Sequence, residues 1–190
     1  MKKLTLLFLV FMLLISSSVM AQTRGFFEAK IGADFLGEVD IDDNSGLGST
    51  DLDLDTGISL TGEYKVPMSN NRWTFGGGIN HQLERSIDVV NGEDVNSTAF
   101  YGLAQYSLPD SPIYLLGKLG YNTFDLEGVN DDFLDGGLYY GLGAGFTFGK
   151  TNNYVFETLY SVNNGELEDN SGYKADFEYS KITMSVGMKF

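Results

Sequence analysis

The sequence has no cysteine, three prolines, one histidine and one tryptophan in 190 residues. Without cysteine there is no disulfide framework, no thiolate metal site, no thiol nucleophile and no lipoprotein anchor. Bases are scarce as well. Twelve Lys and Arg stand against 26 Asp and Glu, a formal charge of −14, and no basic patch able to neutralise phosphates is present, so no nucleic-acid partner is expected. After residue 21 no long apolar run occurs. Each is interrupted by Gly, Lys or Asp within about six residues, which excludes a helical membrane span there.

The first 21 residues differ from the rest. Lys2 and Lys3 form a positive start, Leu4 to Ile15 is apolar apart from Thr5, and small residues lead to Val19-Met20-Ala21. This is the layout of a secretory signal peptide, with cleavage expected before Gln22. Residues 22–190 then form one domain. Losing two lysines and no acid takes the net charge from −14 to −16.

What is abundant is glycine and aromatic residues: 24 Gly, 14 Phe and 11 Tyr. Glycine disfavours helices and aromatics favour strands. The apolar residues alternate with period two, the pattern of a strand with one apolar and one polar face. Ile182, Met184, Val186, Met188 and Phe190 alternate with Lys181, Thr183, Ser185, Gly187 and Lys189. Phe27, Ala29, Ile31, Ala33 and Phe35 alternate with Glu28, Lys30, Gly32 and Asp34. Similar runs start at Gly57, Trp73, Tyr140 and Tyr154. Two further strands, 98–108 and 113–125, alternate less cleanly, the first being apolar on both faces in its middle. That makes eight strands. Residues 67–72, 109–112 and 149–153 read as tight turns, rich in Pro, Asn, Ser and Gly. The stretches 39–52, 87–96, 126–137 and 163–176 read as longer acidic loops. Short and long connections alternate strictly, as in an up-and-down barrel with one end in the periplasm.

Alternation alone does not say which face is outside. Aromatics decide it, because they sort by height along the strands. Phe26, Phe27, Tyr64, Trp73, Phe75, Tyr106, Phe146, Phe148, Tyr154, Phe156 and Phe190 lie beside the short turns or termini. Phe35, Phe100, Tyr121, Tyr140 and Tyr160 lie toward the long loops. Two belts on the apolar face are what the two membrane interfaces require. The polar face is rich in Gly, which suits the narrow bore of an eight-stranded barrel. The runs are about ten residues long, near the ~9–11 that a tilted strand needs to cross the hydrocarbon. The fold class is therefore all-β: an eight-stranded antiparallel up-and-down transmembrane β-barrel.

The terminal run from Ile182 to Phe190 resembles the assembly signal of outer-membrane barrels. The stretch Gly136-Gly137-Leu138-Tyr139-Tyr140-Gly141-Leu142-Gly143-Ala144-Gly145-Phe146 resembles the small outer-membrane β-barrel family that includes the OmpA transmembrane domain and OmpX. Pro112-x-Tyr114 with Gly117, Gly120 and Tyr121 is similar to that family's fifth strand. The resemblance spans residues 22–190. It implies a bacterial outer-membrane location with both termini periplasmic, and recognition of the terminal strand by the barrel assembly machinery. The sequence stops at Phe190, so the envelope tethering that a following peptidoglycan-binding domain would provide is not expected.

No enzymatic site is expected: no catalytic residue, cofactor or dedicated metal site is assigned. His81, the only histidine, falls on the outward face without a convincing Ser partner and reads as an interfacial residue; a lipid-active enzyme built on it is the least favoured reading. Glu28, Lys30, Glu63, Lys65, Lys118 and Glu157 face the lumen in its lower half. Three acids and three bases in a narrow bore are expected to pair, because an unpaired buried charge costs several kcal/mol. The alternative is a narrow pore or channel gated by exchange of those pairs. Asp40-x-Asp42-x-Asn44 echoes a calcium loop, but Ser45 stands where Gly is expected and Asp51 where Glu is expected. The bland reading is a solvated acidic loop, with weak divalent bridging to lipopolysaccharide between the two. The expected role is structural or surface-interacting, adhesion included, for a monomer in contact with outer-membrane lipid and lipopolysaccharide. An extracellular ligand of the acidic loops is an open partner.

Overall fold

The computed structural model describes residues 25–43, 49–69, 72–86, 94–126, 134–168 and 174–190. The expected signal peptide lies outside them. Among the described residues there is no helix. Nine strands follow one another: β1 (Phe26–Asp43), β2 (Ser49–Leu54), β3 (Gly57–Pro67), β4 (Trp73–Ser86), β5 (Asp94–Ser107), β6 (Ile113–Leu126), β7 (Leu134–Phe148), β8 (Tyr154–Glu168) and β9 (Lys174–Lys189).

Every described pairing is antiparallel, and β1 pairs with β9 to close the sheet on itself. The barrel wall has eight positions, as the alternation predicts, because β2 and β3 share one. β1 pairs with β3 from Phe26↔Lys65 to Asp34↔Gly57, and with β2 from Gly37↔Leu54 to Asp42↔Ser49. The break falls at Leu36, which is 77 % exposed with φ of 50°. There the β1–β9 register shifts between Phe35 and Glu38. One extra residue flips the alternation: Asp34 is buried below the bulge, and Gly37 above it.

The expected tight turns 109–112 and 149–153 are present and fall at one end, where β3 also gives way to β4; residues 70 and 71 of the expected turn 67–72 lie outside the described residues. Asp110 and Asn152 there have positive φ (52° and 53°), as does Gly149 (88°), where short polar residues and glycine are tolerated best. Both strand termini meet at the same end: the Phe190 amide donates to the Phe27 carbonyl at 2.8 Å. The opposite end differs from expectation. Parts of 39–52, 87–96, 126–137 and 163–176 are strand, so the ladders run on past the apolar stretches. These extensions alternate as well, as in Asp51-Leu52-Asp53-Leu54 and Ala175-Asp176-Phe177-Glu178, but their density of acidic residues reads as loop.

Above the apolar band the wall divides. The β3–β4 ladder stops at Ser59↔Gln82, and the β6–β7 ladder at Tyr121↔Leu138. Among the described residues the upper part is thus two sheets, β7-β8-β9-β1-β2 and β4-β5-β6. The Tyr121 hydroxyl donates to the Gly136 carbonyl (2.7 Å) across one of the two seams.

The outer face is apolar. Phe27, Ile31, Ile58, Leu60, Phe100, Leu115, Leu119, Leu142, Met184 and Val186 are all exposed, as the outward series predicts. Aromatic rings touch in chains near the short turns: Trp73 with Tyr106 (5.0 Å between centroids), Phe146 with Phe156 (5.4 Å), Phe148 with Tyr154 (5.6 Å) and Phe27 with Phe190 (6.5 Å). Phe26 departs from the outer belt. It lies on the inward series, and the Lys189 ammonium sits 5.2 Å from its ring centroid.

Candidate functional site: the ion-paired lumen

Inward positions on a closed eight-stranded wall converge on one axis, so residues remote in sequence become neighbours there. All six charged residues expected in the lower lumen are buried there. Lys30 of β1 lies 2.8 Å from Glu63 of β3, 2.9 Å from Glu157 of β8 and 3.3 Å from Glu28. Lys65 lies 2.7 Å from Glu28 and 2.9 Å from Glu63. Lys118 of β6 lies 2.8 Å from Glu63 and 3.2 Å from Glu157. The expected pairing of the three acids with the three bases is therefore met, and Glu157 is shared by Lys30 and Lys118. Three carboxylates and three ammoniums give a neutral cluster.

Tyrosines inside the wall complete it. Tyr101 donates its hydroxyl to Glu63 (2.7 Å) and Tyr114 to Glu157 (3.2 Å). The Lys118 ammonium also lies 4.8 Å from the Tyr101 ring centroid, a cation–π distance. Tyr101 and Leu103 account for the doubly apolar middle of β5: both point inward and are buried.

A second, smaller group lies higher. Lys181 of β9 is 2.9 Å from Asp34 of β1. Asp34 also accepts from Thr183 (2.7 Å) and Ser59 (3.1 Å). Gln82 accepts from Lys181 and from the Tyr179 hydroxyl. Asp34 and Lys181 stood on polar faces in the sequence, but nothing in the linear pattern joined them. Their partnership comes from the closing β1–β9 seam, where Asp34 pairs with Thr183 in register. Higher still, Phe124 of β6 and Phe177 of β9 meet edge to face across the bore at 4.8 Å. They join the two upper sheets.

The Glu28, Glu63 and Glu157 oxygens lie within 4.8 Å of one another, close enough to hold a cation. Lysine ammoniums already stand at 2.7–3.3 Å from all three, so a metal ion would have to displace them. The calcium-loop pattern folds otherwise than a cation loop requires. Asp40 and Asp51, its first and twelfth positions, are direct cross-strand partners in the β1–β2 ladder; Asn44 and Ser45 lie outside the described residues. His81 is half-buried on the outward series, and its Nδ1 is 2.9 Å from the Thr98 hydroxyl on β5. The neighbouring serines Ser59 and Ser97 are buried on the opposite series.

A closed barrel with an apolar exterior, aromatic contacts at one rim and a charged, filled interior is a small transmembrane β-barrel. The chain belongs to the outer membrane protein beta-barrel domain family, whose profile matches residues 8–190; its place is the outer membrane of a Gram-negative bacterium. The structure is similar to Neisserial surface protein A, at 17 % identity and a TM-score of 0.52, covering 86 % of this chain and 97 % of that one. It is similar to Ail, the attachment invasion locus protein of Yersinia pestis, at 18 % identity and 0.52, covering 88 % and 99 %. Outer membrane protein AlkL matches at 13 % identity and 0.53, covering 88 % and 91 %. These identities speak for the fold alone. Among curated proteins none matches the sequence.

Proposed function

We propose that this chain is a non-enzymatic, monomeric outer-membrane barrel that works through its extracellular surface, its lumen being a structural plug. The observation that carries this reading is the double ion-paired lumen: one neutral cluster of six charges, a second pair above it, and the Phe124–Phe177 contact on top. Eight strands leave a bore just wide enough for side chains, and here charged and aromatic side chains occupy it at successive heights. A binding role is thereby left to the outer end. In this reading both termini and the short turns face the periplasm, and the terminal strand is delivered by the barrel assembly machinery.

The connections between the strand ends away from the short turns are strongly acidic in sequence. Segments 38–55, 84–95, 125–135 and 166–178 hold 21 acidic residues against Arg85 and Lys174. Lipopolysaccharide is itself anionic, so contact with it calls for bridging Mg²⁺ or Ca²⁺, and an extracellular ligand of this rim would be cationic. Adhesion fits such a rim. The attachment protein Ail shares the fold, but one of its structures holds a heparin analogue, sucrose octasulfate. An acidic rim would repel such a polyanion.

A gated pore is the second reading. Lys30 and Lys118 each touch both Glu63 and Glu157, so partners could be exchanged without leaving a charge alone. Single-channel conductance of the chain from Gln22, refolded and placed in a planar bilayer, tests the two. The plug gives a silent membrane. Sustained ion-selective current from the unmutated protein would replace the plug with the gated pore.

A further inference from the structure

Between the two ion-paired groups the packing is incomplete. A cavity of about 10 Å³ lies there. Lys118 and Glu157 of the lower cluster line it from one side, and Lys181 and Thr183 of the upper group from the other, with Thr61 and Ser161 among the remaining lining residues. Ser161 is 1 % exposed, yet its Oγ has no hydrogen-bond partner among the described protein atoms. Its neighbours are engaged elsewhere. Thr183 donates to Asp34, Thr61 accepts from the Asn80 amide (2.8 Å), and Lys118 is held by two carboxylates.

We infer that this cavity is a binding site for a single water molecule, held by Ser161 and joining the two charged groups into one hydrogen-bonded column. The size fits, since a void of this volume holds one water-sized sphere. The chemistry fits as well. A buried hydroxyl without a partner is rare in folded proteins, and water can donate to and accept from it at once. An anion could only accept, and it would lie against the Glu157 carboxylate. An apolar occupant would leave the hydroxyl unmatched.

The test uses the chain from Gln22 refolded in detergent. Water-to-amide cross-relaxation is measured by NMR at Ser161 and at its cross-strand neighbour Lys181, which pair in the β8–β9 ladder. The expected result is a cross-peak from a long-lived water in the unmutated protein, lost in Ser161→Val, where methyl groups fill the site. Ser161→Ala, which changes least, supplies the second measurement. If water satisfies the hydroxyl, Ser161→Ala loses a hydrogen bond, and the folding equilibrium constant drops several-fold. If the hydroxyl has no partner, removing it leaves that constant unchanged or raises it, and the water site is refuted. A cross-peak missing from the unmutated protein, or persisting in Ser161→Val, equally overturns the assignment. So does an anomalous peak for bromide at this position in crystals grown with bromide, which would make it an anion site.

Discussion

The Lys118 ammonium lies 2.8 Å from the Glu63 carboxylate although their strands, β6 and β3, are not neighbours in the wall. The contact crosses the bore. It is made by inward side chains alone, so it holds opposite walls together where no backbone ladder can reach.

Removing one member of such a group strands the rest. Lys118→Met leaves three carboxylates facing two ammoniums in a buried cluster, and breaking a buried pair costs about 3–5 kcal/mol. We expect the lower end of that range, because Lys30 still reaches both Glu63 and Glu157. Glu157→Gln alone should also destabilise, and raise conductance little. Combining Lys118→Met with Glu157→Gln restores neutrality and should recover more than half of the loss. Denaturant unfolding in detergent measures all three; a double variant as unstable as the sum of the singles would show that the cluster is not a coupled unit.

Glycine on the inner face is set by clearance. A Cβ on Gly145 would stand 2.5 Å from the Tyr114 ring and 2.6 Å from the Phe156 carbonyl. Tyr114 donates to Glu157 and cannot move freely. Gly145→Ala should therefore cost about 1–3 kcal/mol, the usual penalty of overpacking. On the outer face, Gly117 faces only ordinary contact with Leu142 at 3.6 Å. Gly117→Ala should stay within about 0.5 kcal/mol of the unmutated protein. Equal effects at the two positions would mean that the bore is not tightly filled.

Phe190 tests assembly apart from stability. Its backbone is tied to Phe27, and its ring is 67 % exposed at the short-turn rim, 6.5 Å from the Phe27 ring. Phe190→Ala keeps the ladder and removes a largely exposed ring. Outer-membrane abundance in cells should fall much further than unfolding stability in vitro. Equal losses in both assays would make Phe190 an ordinary packing residue.

A wall paired on both sides of every position in its lower half should resist detergent until heated. Folded protein should therefore migrate differently on an SDS gel before and after boiling. Unchanged mobility together with a helical circular dichroism spectrum would contradict the barrel.

Legibility followed the physics of each part. The lower strands could be read because lipid on one face and a narrow bore on the other force strict alternation; Ile182 to Phe190 shows this over nine residues. The lower cluster could be listed, but its cross-bore pairs depend on the curvature of the closed sheet. The Asp34–Lys181 partnership and the tyrosine hydroxyls were hidden for the same reason. Strand extensions such as β2 keep a short alternation, Leu52 and Leu54 against Asp51 and Asp53, but the run is brief and its acidic residues read as loop. The bulge at Leu36 defeats pattern reading differently, because it reverses which parity points inward.

The seam between Phe27 and Phe190 closes the wall with contacts between residues at opposite ends of the barrel domain. Every other ladder joins strands adjacent in sequence or, for β1 and β3, separated only by the short β2, so each could begin locally. This one cannot. Until the last strand arrives, β1 presents a line of unpaired amides and carbonyls that hydrocarbon will not accept. Closure therefore needs the longest-range pairing of the fold. An incomplete chain is an open sheet with two adhesive margins, and protection of those margins falls to the time before insertion, when the chain is still in water.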